Sequence, residues 1–236
     1  VAEYSLIITD VTRYGSLYCV AGWDVGRQRM IRPEPPGANA AVEASRFWDG
    51  DFAGDGQVFA FGNKVLIAAT KPPDHFPFPH ATEDRIVVAG SNIAVLERLN
   101  TTQIVQSIAE SVSASPLKAF GGHLVRAQSG KAQVPAGTNT ASLGAIEIEP
   151  DEISFYSDVA ANGRRRLRAV VEYEGLDYDF SVPADAAYRR FIDGEIAALK
   201  ADAHASELIH VRLGLCRPFA AMPHSCYAQV NGLLFL

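Results

Sequence analysis

A chain of 236 residues, 48% hydrophobic and 20% charged with a formal net charge of −6, has the composition of an ordinary globular protein large enough to bury a core. Ten basic side chains face thirteen acidic ones up to residue 118, and eleven face fourteen beyond it, so bulk duplex binding through phosphate neutralisation is disfavoured. Three cysteines without CxxC spacing argue against a disulfide framework or structural zinc, no apolar run suits a membrane helix, and the first residues lack signal-peptide character; a cytoplasmic protein is expected.

Residues 3–10 are dense in β-formers, Arg13 to Ser16 supply a turn, and residues 17–25 read as the next strand. A turn over Gly26, Arg27 and Gln28 leads into a third strand at 29–32, which Pro33 should end by removing a ladder donor. Residues 34–56, rich in Pro, Gly, Ala and Asp, predict a long surface loop anchored by Phe47 and Trp48. Strand character resumes over 58–61, 63–70 and 85–88, separated by the four prolines of 71–80. Asn100 with Gln103 forms a capping-box pattern, and Ile104, Ile108 and Val112 share one helical face. Periodicity is then lost over 113–144, and a module boundary is placed there, giving modules 1–140 and 141–236.

Residues 144–158 read as one long strand bent at Glu149-Pro150-Asp151, and Asn162-Gly163 is a hairpin signal because both residues tolerate positive φ. Strands at 164–173 and 176–182 follow. A helix opens near 181–185 with Pro183 in its first turn and a buried stripe of Tyr188, Phe191, Ile192, Ile196 and Leu199. Two closing strands span 208–215 and 227–235. The order β-β-β-α-β-β is that of a five-stranded OB barrel; an unrelated small α+β sheet is the alternative.

Tyr18-Cys19-Val20-Ala21-Gly22 followed by Ile31-Arg32-Pro33, and Gly214-Leu215 with Arg217-Pro218-Phe219 followed by Cys226-Tyr227 and Gln229-Val230-Asn231-Gly232, resemble the dual OB-fold domain family, a poorly characterised group of prokaryotic proteins. The resemblance implies a mainly β protein with a few helices (α+β), two OB-like five-stranded barrels in tandem, and no settled activity.

In an OB barrel the strand 2–3 face and the loops joining strands 1–2 and 4–5 make the usual ligand site. In the second half those loops carry Arg164, Arg165 and Arg166, then Arg217 with His224, and both are expected at one barrel end, where guanidinium groups would suit phosphate. The tip reads equally as a solvated turn balancing Asp158 and Glu172. Trp23 and Tyr156 are stacking candidates, although strand tyrosines such as Tyr156, Tyr173 and Tyr178 more often pack as core. Arg32 with Pro33, and the pair Arg217-Pro218, read as architecture, an arginine pairing a carboxylate or capping loop carbonyls.

His75 and His80 lack further ligands at metal spacing, and no nucleotide-loop, serine-hydrolase or zinc-protease motif occurs, so no catalytic residue, metal or cofactor is assigned. The leading expectation is a non-catalytic module binding single-stranded nucleic acid or a nucleotide. A scaffold using the barrel grooves or the Phe76–Pro79 segment competes with it. An enzyme acting on nucleic acid with a divalent ion at Glu147, Glu149 and Asp151 is a third option.

Overall fold

The dense β-formers at the start of the chain fold into three antiparallel strands, β1 (Ala2–Tyr14), β2 (Leu17–Asp24) and β3 (Arg29–Glu34). The computed structural model describes residues 1–160 and 163–236, which divide into two compact units, Val1–Ser111 and Val112–Leu236. The division at 111/112 differs from the 140/141 boundary read from sequence. Residues 112–140 join the second unit because they pair there: Ser113 N–H donates to Ala145 O at 2.8 Å, and residues 133–135 pair with 225–227.

In the first unit, β4 (Asn63–Thr70) runs antiparallel to both β1 and β5 (Asp84–Val87), and β5 lies parallel to β3. The ring β1-β2-β3-β5-β4-β1 is closed, with the connectivity of an OB barrel. β6 (Ala94–Arg98) lies antiparallel to β4, and α1 (Thr101–Ile108) follows it. Leu6, Ile8, Val20, Ile31, Val65 and Ile67 fill the interior. Where an OB fold usually places a helix, residues 35–62 form an irregular connection that inserts Trp48, Ala53 and Phe59 into the same core. Trp48 anchors it as expected, donating its indole N–H to Pro33 O at 2.8 Å.

Gly22 of the first signature is required by packing: a Cβ there would stand 2.6 Å from the backbone oxygen of Ile7 on β1. Pro33 does not end its strand. Arg32, Pro33 and Glu34 continue into the parallel pairing with Asp84, Arg85 and Ile86, an arrangement that tolerates a residue without N–H at the strand end. Residues 58–61 are turns with one bridge, Ala53 to Phe59, rather than a strand. The α1 capping box is formed, but the helix stops at Ile108 and Val112 bridges Ala145 instead of extending the stripe.

The second unit opens with α2 (Pro116–Ala119) and the hairpin β7 (Val125–Arg126) and β8 (Ala132–Pro135). The long bent strand is present as β9 (Leu143–Ile148) and β10 (Ile153–Val159), hinged on a 3-10 turn at Pro150–Glu152. β11 (Arg165–Tyr173), β12 (Leu176–Ser181), α3 (Asp185–Ile192), α4 (Ile196–Ala205), β13 (Ile209–Leu215) and β14 (Ser225–Phe235) complete it. The order β10-β11-β12-β14-β13-β9, with β12 parallel to β14, repeats the first ring's topology. The core gathers Phe155, Leu167, Phe180, Phe191, Val211, Leu213 and Val230.

The single helix read from sequence is two: Gly194 adopts φ 85° between them, a conformation that ends α3. Ile192 consequently leaves the buried stripe and is 54% exposed, and Pro183 precedes the helix rather than occupying its first turn. Of the hairpin signal, Asn162 lies outside the described residues; Gly163 has φ 80°. Among the described residues no helix is long and apolar enough to cross a membrane.

Candidate nucleic-acid interface

Alternation along β10, β11 and β12 turns Phe155, Leu167, Ala169 and Phe180 inward and leaves Tyr156, Asp158, Arg166, Arg168 and Asp179 on the outer face. Tyr156 sits opposite Arg168, and Asp158 opposite Arg166, so these side chains meet as cross-strand pairs. Arg166 grips Asp158 with two bonds, Nε to Oδ1 at 2.8 Å and Nη2 to Oδ2 at 2.5 Å. Arg168 reaches diagonally to Asp179, Nε to Oδ1 at 3.1 Å and Nη2 to Oδ2 at 2.6 Å. The Tyr156 hydroxyl donates to Asp179 Oδ1 at 3.1 Å, which fixes the ring while leaving the residue 37% exposed.

The hydrogen bond from Arg166, aided by the nearby charges of Arg168 and Lys131, holds the Asp158 carboxyl below the usual range despite some desolvation. Burial works against the charge of Arg168, but the bond and field of Asp179 outweigh it and raise its pKa. Desolvation raises the Tyr156 hydroxyl.

Arg164 and Arg165 stand exposed at the mouth of β11, each laid against a ring of α3. The Arg164 guanidinium lies 5.6 Å from the Tyr188 ring centroid and its Nη2 donates to the Tyr188 hydroxyl at 3.1 Å; that of Arg165 lies 5.0 Å from the Phe191 centroid. Such contacts orient a guanidinium without neutralising it.

Arg217 does not join them. The cross-strand line Arg168–Ser181–Gln229–Gly214 runs from β11 to β13, and these two strands point the same way. Arg164 lies four residues before this line and Arg217 three beyond it, so the two loops occupy opposite ends of the ladder, about 23 Å apart along the strands at ~3.3 Å per residue. The expected convergence at one barrel end is corrected accordingly: the loops flank the strand 2–3 face from either end. Trp23 is not a stacking platform either, being only 6% exposed, whereas Tyr178 packs in the core as expected of a strand tyrosine.

Arg32 is buried and donates Nη1 to Asp84 Oδ1 at 2.7 Å, one bond of a network in which Arg46 also contacts Asp84 and bonds Glu34 at 2.7 Å. Burial opposes the charge of Arg32, yet the fields of Asp84, Cys19 and Glu83 raise its pKa above the ordinary value. Pro218, beside Arg217, is partly buried. Gly214 and Asn231 of the second signature meet: Asn231 is the extra residue of a β-bulge, and its amide occupies the space a Cβ on Gly214 would need.

Glu147 lies 3.2 Å from His210 Nδ1, and Glu149 is engaged in a reciprocal cap with Glu152, so the carboxylates of 147–151 are drawn to different partners. Among the described residues no group of three or more His, Cys, Asp or Glu side chains is placed to hold a metal ion.

Sequence reasoning missed Lys131 and Arg126. Asp179 N–H donates to Gly130 O at 3.0 Å and Arg126 Nε donates to Asp177 O at 2.6 Å, which lays the β7–β8 hairpin along β12. The available signal was weak: a turn glycine at 130 before the short alternation of Ala132 and Val134.

No curated protein matches the sequence. Among solved structures, a murine DNA-binding protein bound with double-stranded DNA is similar at a TM-score of 0.33 and 6% identity, over 100% of this chain and 98% of that one, a likeness too low to carry an argument. The family model of the dual OB-containing domain matches residues 5–233. With two closed rings of OB connectivity and that match across nearly the whole sequence, the chain belongs to the dual OB-containing domain family.

Proposed function

We propose that the outer β10–β11–β12 face of the second unit binds single-stranded nucleic acid or a nucleotide, without catalysing a reaction on it. The observation that carries this reading is the exposed Tyr156 ring, fixed by Asp179 beside Arg168 and Arg166, with Arg164 and Arg165 at the loop above it. A base stacks on the tyrosine, and phosphates meet guanidinium groups that aromatic contacts orient. Arg166 and Arg168 serve chiefly to hold the platform, since each is engaged by a carboxylate.

For the scaffold reading, Phe76 is buried with the Arg46 guanidinium 4.4 Å from its ring centroid, and Phe78 is the exposed aromatic the segment offers a partner.

The test is anisotropy of a labelled single-stranded oligonucleotide titrated from about 50 to 200 mM salt. Binding that weakens with salt, a slope reduced by roughly two in R164A/R165A at about one per phosphate contact, and an affinity loss of about 1–3 kcal/mol in Y156A support the reading. No binding at low salt, or binding unchanged in both variants, overturns it.

A further inference from the structure

A cleft of about 260 Å³ opens in the first unit. Pro35 and Pro36 just after β3, Phe47, Trp48 and Phe52 further along the 35–62 connection, and a stretch from Val87 to Ile93 that contributes Val88, Gly90 and Ser91 between them, line it. Its rings are held in place. Phe47 stacks on Tyr14 with centroids 4.4 Å apart and planes 5° from parallel, Trp48 is tethered through its N–H to Pro33 O, and Phe52 packs on Trp48 at 5.4 Å while staying 42% exposed. Among the described residues, the charged side chain lining the cleft is that of Asp49, which is exposed, and its Oδ1 accepts from Asp51 N–H at 3.0 Å.

The exposed charges of the 35–62 connection have one sign. Glu43, Asp49, Asp51 and Asp55 are all exposed on the 35–62 connection, whose one basic residue, Arg46, is buried and engaged by Glu34 and Asp84. Aromatic faces attract cations through their ring quadrupoles, and a carboxylate at the mouth adds the matching charge. A phosphate would meet like charge at Asp49. The volume falls below the ~300–1,000 Å³ of drug-sized sites, which limits the occupant to a small group.

We propose that this cleft is a binding site for a small organic cation, an alkylammonium or quaternary ammonium group seated against Phe47, Trp48 and Phe52 with Asp49 as counter-charge. The proposal is independent of nucleic-acid binding by the second unit.

The experiment titrates the full chain with choline and, separately, with 3,3-dimethylbutan-1-ol, its uncharged carbon analogue, following the Trp48 indole N–H by NMR and the binding heat by calorimetry. The expected result is saturable choline binding at Trp48, at least about tenfold weaker binding of the alcohol, and a roughly tenfold loss in both Asp49→Asn and Phe52→Ala. Asn keeps the acceptor for Asp51 N–H, and Phe52 is partly exposed, so both variants test the site with the fold retained. Equal binding of choline and the alcohol, choline affinity unchanged in Asp49→Asn, or no response of the Trp48 signal to choline overturns the proposal.

Discussion

Arg32 and Asp84, fifty-two residues apart, are joined by a buried 2.7 Å bond in the first unit, on the two strands whose parallel pairing closes its barrel. The arginine of the first signature is therefore a closure element, fastening β3 to β5 where they share few ladder bonds. Asp84 also bonds Arg46, which brings the 35–62 connection into the same network.

Removing Asp84 leaves two guanidinium groups buried without their shared counter-charge. Asp84→Ala is expected to destabilise the first unit by about 3–5 kcal/mol, the cost typical of breaking one side of a buried ion pair. Chemical denaturation followed by tryptophan fluorescence checks this, because both Trp23 and Trp48 lie in that unit.

Gly22→Ala drives a methyl group against the Ile7 carbonyl at 2.6 Å, and that partner is backbone that cannot rotate away. A loss of about 1–3 kcal/mol is expected, the range for overpacked sites. A lowered denaturation midpoint with an unchanged slope is the readout.

Asp158 links stability to pH. Its folded carboxyl is held below the unfolded value of roughly 3.9 by Arg166, so its contribution is present above that pH and is lost as pH falls through the folded value. Both side chains are about a third exposed, and solvent screening limits the pair to about 0.2–1 kcal/mol. Wild type and Asp158→Asn should differ by that amount at neutral pH and converge at strongly acidic pH in parallel denaturation curves.

Burial, with smaller help from neighbouring Cys216, pushes the Cys226 thiol up to about 12, although the nearby Arg217 acts in the opposite direction. In the native protein a thiol reagent at pH 8 should modify at most Cys19 and Cys216, both partly accessible, and should reach Cys226 only on unfolding. Mass spectrometry of the labelled peptides reads the order.

Lys131 adds a charge to the proposed interface. Lys131→Ala should weaken oligonucleotide binding about equally across sequences and reduce the salt slope by about one. An unchanged slope would remove the β7–β8 hairpin from that interface.

Much of the barrel topology is legible in the sequence. Strand positions in the second unit follow from alternation, the hinge from Glu149-Pro150, and the strand order from a helix-forming stretch placed between strands three and four. The errors fall where a local pattern competes with tertiary pairing. Pro33 marks a strand end by its missing N–H, yet β5 supplies a parallel neighbour there, and residues 113–144 show no period because β8 finds its partner ninety residues later on β14.

The candidate site divides in the same way. Arg164, Arg165 and Tyr156 could be named from residue type and a turn signal, since a hairpin tip and a strand face are local properties. Composition cannot say which arginines are already engaged, because that depends on cross-strand register: one register sets Arg166 against Asp158, places Arg168 diagonal to Asp179, and carries Arg217 to the far end of the ladder. By itself the sequence determined the approximate strands, through periodicity and turn chemistry, while the pairing of two β-modules came from the resemblance its two signatures carry. Only the tertiary structure decided that Asp84 is the carboxylate Arg32 pairs with, that Trp23 is buried, and that an aromatic cleft with Asp49 in its lining opens beside Trp48, because each rests on contacts between residues the chain order keeps apart.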